Sequence, residues 1–138
     1  MSYRIINGLE ENIRPVLKRR IETALEKISD SADFRKWLRR PRYSSGEYAI
    51  RNHDPVTMFL VDMLPARLQV TSPREGVRVQ DYASKDYPIL SLDLPGWARR
   101  FQDRWWEIRD AKATAPELDD DGSMPLENVF ALLDEVGA

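Results

Sequence analysis

His53 is the only histidine in the chain and stands beside Asp54, a pair that could serve a metal or a nucleophile if further ligands or partners surrounded it. No second His and no Cys exists to complete a multi-ligand site. Asp54 followed by Pro55 also has a simpler use, as the cap and first residue of a helix. Glu75, Asp81, Asp86 and Asp93 fall near segments that read as strands, where paired carboxylates with a lysine two positions on could hold a divalent ion for hydrolysis. Lys85 has the wrong spacing for that pattern. The six glycines are scattered singly, so no glycine-rich loop is present to cradle a phosphate. No catalytic set assembles from these residues, and the chain reads as a non-enzyme with no cofactor and no metal site. A metal-dependent hydrolase built from the scattered carboxylates is the weakest of three functional readings.

Residues 117 to 128 partly follow the twelve-residue calcium loop, with oxygen ligands at loop positions 1, 3 and 5, Gly122 at 6 and an apolar residue at 8. The resemblance to an EF-hand ends there. Asn128 occupies the position that should supply a bidentate Glu, Pro116 interrupts the entering helix, and Pro125 sits at position 9. The alternative is an Asp-rich turn in which Ser123 caps the last helix.

Two groups suit binding instead. Arg35, Lys36, Arg39, Arg40 and Arg42 surround Trp37, with Tyr43 and Tyr48 just beyond and Lys18, Arg19 and Arg20 earlier. Guanidinium groups fork onto phosphate or carboxylate and flat rings stack, so this mixture fits nucleic-acid backbones and protein hot spots alike. A solvated helix face, with Trp37 and Leu38 turned inward, would show the same residues. Trp97, Trp105 and Trp106 share one helical segment with Arg99, Arg100, Arg104 and Arg109. Neighbours on a helix diverge by about 100°, which predicts that Trp105 and Trp106 cannot both enter one core and that Trp106, with Arg100 and Arg104 near it, forms an interface anchor. The bland reading lays Trp106 flat beneath a neighbouring element.

The elements that must position these groups are legible from periodicity. Leu9, Ile13, Leu17, Ile21, Leu25 and Ile28 predict one amphipathic helix, with Pro15 in its first turn if Asn12 is the cap, or kinked by Pro15 if it begins near Gly8. Residues 31 to 40 predict a second, short helix ended by Pro41. Residues 47 to 52 predict a strand. Asp54 and Pro55 open a third helix that is apolar nearly all round and therefore central, with Phe59 in the core. Alternating apolar and polar residues on both sides of a Pro and Gly turn predict a hairpin over 66 to 82, and 88 to 94 would add a third strand. Residues 96 to 110 and 124 to 136 predict two more helices, separated by an acidic linker at about 111 to 122. The expected fold is α+β, with four or five helices on a small antiparallel sheet in a single domain spanning 1 to 138.

Composition bounds the partners. Residues 1 to 52 carry twelve Lys and Arg against seven Asp and Glu, and 53 to 138 carry nine against sixteen, so halves of +5 and −7 hide behind a net charge of −2. The overall pI near 5.5 weighs against a dedicated nucleic-acid binder. Absence of cysteine excludes disulfides, thiolate metal sites and thiol nucleophiles. The charged first thirty residues leave no apolar signal-peptide core, and the longest apolar run, near 55 to 61, is far short of the ~20 residues of a membrane span. The sequence therefore predicts a soluble, cytoplasmic interaction module of the adaptor, inhibitor or immunity type. Its expected partner is another protein, with nucleic acid as the alternative and no membrane. Oligomeric state is left open.

Overall fold

Asp54 shows how a local signal becomes an element. Its side chain accepts a hydrogen bond from the Thr57 N–H at 3.1 Å, Pro55 takes the first helical position, and the third helix in chain order runs from Pro55–Met63. The computed structural model describes residues 2–40, 47–49, 54–65, 68–72, 76–111, 114–120 and 122–138. In chain order the elements are β1 (Tyr3–Asn7), a 3-10 turn (Glu10–Asn12), α1 (Pro15–Lys27), α2 (Ala32–Leu38), β2 (Glu47–Ala49), α3 (Pro55–Met63), β3 (Gln69–Thr71), β4 (Arg78–Gln80), β5 (Ile89–Leu92), α4 (Gly96–Asp110), β6 (Ser123–Pro125) and α5 (Leu126–Glu135). The fold is α+β, as its periodicities predicted.

Four strands form an antiparallel sheet in the order β1-β5-β4-β3, and β2 pairs with β6 in a separate two-stranded sheet. In the larger sheet Tyr3 stands opposite Leu92, and Val79 lies between Leu90 on β5 and Val70 on β3. These residues form the inner face and join the core with the helices. Alternation sends the intervening residues outward. Arg4 therefore shares a row with Ser91, Arg78 and Thr71, and Ile89 shares the next with Gln80 and Gln69.

The core centres on aromatic rings from three helices. Phe34 of α2 lies 5.5 to 5.9 Å from Trp37, Phe59, Trp97 and Phe101, and Phe59 also meets Trp37 edge-on at 5.6 Å. Offset and edge-to-face geometries of this kind add to the burial of apolar area. Leu17, Ile21, Ala24 and Ile28 supply the stripe of α1. A buried polar knot ties α3 to its neighbours. Asp54 Oδ2 accepts from Thr57 Oγ1 and Ser72 Oγ, both at 2.9 Å, and from Gln102 Nε2 of α4 at 3.1 Å.

Several boundaries differ from those expected. The first helix starts at Pro15 with Arg14, not Asn12, as its cap residue. A 3-10 turn and an extended Ile13 intervene, so Leu9 stays outside the helix and exposed. Residues 3 to 7, unassigned in the sequence, form β1. The last helix begins at Leu126, because residues 123 to 125 are drawn into β6 by pairing with β2. The supposed linker folds back through successive turns, and its Ala115 and Leu118 pack on the core. β3 and β4 are antiparallel neighbours. Residues 66, 67 and 73 to 75, including Glu75, lie outside the described residues, as do residues 50 to 52, Tyr43, His53 and Asp121.

Candidate functional site

The cations predicted to face a partner are largely occupied within the molecule. Arg35 Nη2 donates to Asp134 at 2.9 Å and to the Ala138 carbonyl at 2.8 Å, and Arg100 Nε donates to the Val136 carbonyl at 3.0 Å. Arg39 lies over the Phe130 ring with 4.5 Å from guanidinium carbon to centroid. Arg104 stands among Glu107, Glu117 and Glu135 at 3.3 to 3.5 Å. All four arginines close on α5 or the chain just after it. α5 has no basic residue in its own last turn. Cations from α2 and α4 take that place, where unsatisfied carbonyls and the negative end of the helix dipole attract them.

Lys36 and Arg40 point elsewhere and, with Lys27 and Asp33, edge a cavity of about 190 Å³ floored by Phe59, Met63 and the Trp37 ring. Arg42 lies outside the described residues. The basic segment is thus split by the helical turn of α2 into one side committed to α5 and one side facing solvent.

Trp106 corrects the expectation of an exposed anchor. Its side chain is only 8% exposed, and Trp105 is fully buried. The two rings do diverge, but α4 is covered on more than one side. Trp105 stacks on Phe101 in the main core. Trp106 lies a turn beyond Gln102, on the flank of the Asp54 knot, with the Arg109 guanidinium over its ring at 4.7 Å. Among the described residues neither indole N–H finds a hydrogen-bond partner, and Gln102 Oε1 lacks one too.

Of the acids near the strands, Glu75 lies outside the described residues. Glu117 pairs with Arg104 while its backbone carbonyl accepts from Asn128. Among the described residues no group of three or more His, Cys, Asp or Glu could hold a metal ion. Asp81 instead anchors the end of the large sheet. Its carboxylate is 1% exposed and takes a forked pair of bonds from Arg14, 2.9 and 3.1 Å long. The Ala83 N–H and Ser84 Oγ also donate to it. Burial pushes this carboxyl up, but the hydrogen bonds from Ser84, Arg14 and Ala83 outweigh that and hold it below the usual carboxylate range.

The loop pinned in this way carries Tyr82 and Tyr87, 50% and 54% exposed, with ring centroids 5.5 Å apart. Tyr82 Oη donates to Gln69 of β3. Asp86 and Tyr87 both adopt left-handed backbone, with φ of 62° and 47°. That conformation is tolerable for Asp but strained for an aromatic residue. Asn12 holds Asp86 at 3.1 Å, and the Tyr87 N–H donates to the Ser84 carbonyl at 3.2 Å. On the adjoining edge Gly8, with φ of 95°, lets β1 close onto β5, since a Cβ there would come 3.0 Å from Pro88 Cβ. Among the described residues six large apolar side chains are exposed: Ile6, Leu9, Val16, Val61, Tyr82 and Tyr87. All but Val61 lie within two residues of Gly8, Arg14, Asp81 or Pro88, the groups that tie this end together.

Sequence reasoning missed this surface. The available signal was a pair of tyrosines five positions apart in an otherwise polar loop, residues 81 to 88. Comparison with known proteins adds no relative: no protein-family model, no curated protein and no solved structure matches the chain. No helix among the described residues is long and apolar enough to cross a membrane.

Proposed function

We propose that this protein is an interaction module, of the adaptor, inhibitor or immunity type, that binds another protein by surface complementarity through the Tyr82–Tyr87 end of its large sheet. The observation that carries this reading is the strained, doubly left-handed backbone at Asp86 and Tyr87. For an aromatic residue such as Tyr87 that conformation costs on the order of 1–3 kcal/mol and persists only where surrounding bonds impose it. Here those bonds come from Asn12, Ser84 and the pair of half-buried Arg14 with buried Asp81, and their effect is to present two aromatic rings to solvent in a fixed pose. Tyrosines presented rigidly lose little entropy on binding and supply large contact area, the properties of a hot spot.

Nucleic-acid binding through residues 18 to 42 has less support. Arg35 and Arg39 are turned to α5, and Lys18 is paired with Glu10 at 2.7 Å. A phosphate track along that segment would have to do without them.

The test begins with cross-linking in the source cells, after which the captured protein is purified and recombined with the chain. In calorimetry Tyr87→Ala should raise Kd about 30-fold, equivalent to ~2 kcal/mol, while thermal unfolding stays within a few degrees of the parent. A change below about twofold for both Tyr82→Ala and Tyr87→Ala in a purified complex would overturn the assignment.

A further inference from the structure

The outer face of the large sheet carries a second, chemically different feature beside the tyrosine loop. Arg4 on β1 and Arg78 on β4 both stand opposite Ser91 of the intervening β5. Directly opposed residues in an antiparallel sheet project to one face, so the two guanidinium groups rise on either side of a small hydroxyl. Two strand spacings put their Cα atoms about 9–10 Å apart. Both side chains are exposed, and neither makes an ion pair or hydrogen bond among the described residues. At the β1 end of this row opens a cavity of about 280 Å³ whose lining includes Arg4, Ser91, Asp93 and Arg99. Arg99 is already engaged within the molecule, so the exposed cations that carry the argument are Arg4 at the cavity and Arg78, which borders Ser91 from the other side.

We infer that the Arg4–Ser91–Arg78 row and its adjoining cavity bind carboxylate side chains of an acidic segment in the partner protein. The inference rests on the proposed interaction role and supplies the chemistry of the partner. Guanidinium groups fork onto carboxylates, and a hydroxyl between two of them can donate to the same group. Phosphates of a nucleic acid share that charge, but the strands of this face carry no aromatic ring, and Tyr82 and Tyr87 stand on the loop at its end. Single-stranded recognition on a sheet uses aromatic rings set on the strands themselves. The two rows here present Arg4, Ser91, Arg78 and Thr71, then Ile89, Gln80 and Gln69, with no ring among them. The mixture of arginine, amide and aliphatic groups is that of a protein interface.

The experiment uses the full chain and a fluorescein-labelled oligoglutamate, followed by anisotropy, with an oligouridylate of equal charge in parallel. Oligoglutamate should bind saturably, and Arg4→Ala and Arg78→Ala should each weaken it about tenfold. Arg19→Ala, which removes an exposed cation from α1, should change it less than twofold. Circular dichroism of the variants should match the parent, because neither arginine has a structural partner to lose. Absence of binding, or an equal loss with Arg19→Ala, would overturn the inference. So would tighter, Arg4-dependent binding of oligouridylate, which would make the face a nucleic-acid platform. Tyr87→Ala separates this inference from the reading beneath it. If the purified partner complex ignores Tyr87 but loses affinity with Arg4 and Arg78, the row stands and the tyrosine surface falls. If the complex depends on Tyr87 and ignores both arginines, the row falls alone.

Discussion

At the scale of single residues, hydrogen-bond satisfaction separates side chains that composition treats as equal. Trp97 donates its indole N–H to the Ile28 carbonyl at 3.1 Å, whereas the N–H of Trp106 is buried with no partner among the described residues. Replacement by Phe removes a satisfied donor in one case and a costly orphan in the other. Trp97→Phe should therefore destabilise the fold by about 1–2 kcal/mol more than Trp106→Phe, as read by urea unfolding of both variants. Equal losses would show that the Trp106 site is hydrated. Asp81 makes a second residue-level prediction. Its folded pKa lies below that of the unfolded chain, so the native state binds fewer protons and the contribution is present above about pH 5. It is lost as pH falls through the unfolded carboxylate value near 4 toward the folded one. Asp81→Asn should cost about 2–3 kcal/mol at pH 7, and the gap between parent and variant should narrow by pH 3. A gap independent of pH would mean that packing, not charge, makes Asp81 important. None of this was readable in advance: the sequence shows four tryptophans and many carboxylates, but a hydrogen-bond partner is a neighbour in space.

At the scale of elements, the helices and strands were legible to different degrees for a physical reason. Helical faces repeat every three or four residues within one segment, so Leu17, Ile21, Leu25 and Ile28 declared α1, and Leu126, Val129, Phe130, Leu133 and Val136 declared α5. The Asp54 and Pro55 start of α3 was equally local. β1 was not, because adjacent Ile5 and Ile6 break the alternation around a bulge and the strand depends on distant β5 for its pairing. β6 contains Pro125 and exists through its partner β2. The energetic division within α5 follows the same lines. Leu133 is fully buried, while Glu107 and Glu135, two of the three carboxylates that face Arg104, are mostly solvent-accessible. Leu133→Ala should cost about 2–5 kcal/mol and Arg104→Ala less than about 1 kcal/mol in denaturant titrations. A larger effect of Arg104 would show that the ion cluster is cooperative. Phe59, 2% exposed between Phe34 and Trp37, should cost about 3–5 kcal/mol on truncation to Ala. A value under about 1 kcal/mol would contradict its central placement.

At the scale of the whole molecule, the division of charge into a basic and an acidic part is partly resolved by folding. Arg14 reaches Asp81 and Arg35 reaches Asp134, each joining the basic part to the acidic part. With Arg35, Arg39, Arg100 and Arg104 turned to the C-terminal segment, the full chain should bind duplex DNA of random sequence with Kd weaker than about 100 µM at physiological salt. Submicromolar binding that Lys36→Ala and Arg40→Ala abolish would restore a nucleic-acid role for α2.

Sequence alone determined which faces of the helices are apolar, where α3 starts, that the fold is α+β, and which sites the missing cysteines and second histidine exclude. Those features are written in local spacing and in residue types, which any folded arrangement must respect. Tertiary structure decided which charges are used up internally, that Trp106 is covered, and that Tyr82 and Tyr87 stand out on a strained loop. It also set Arg4 and Arg78 on either side of Ser91. Those outcomes depend on strand register and helix packing between segments far apart in the chain, and the short-range periodicity of a single sequence carries no record of such distances.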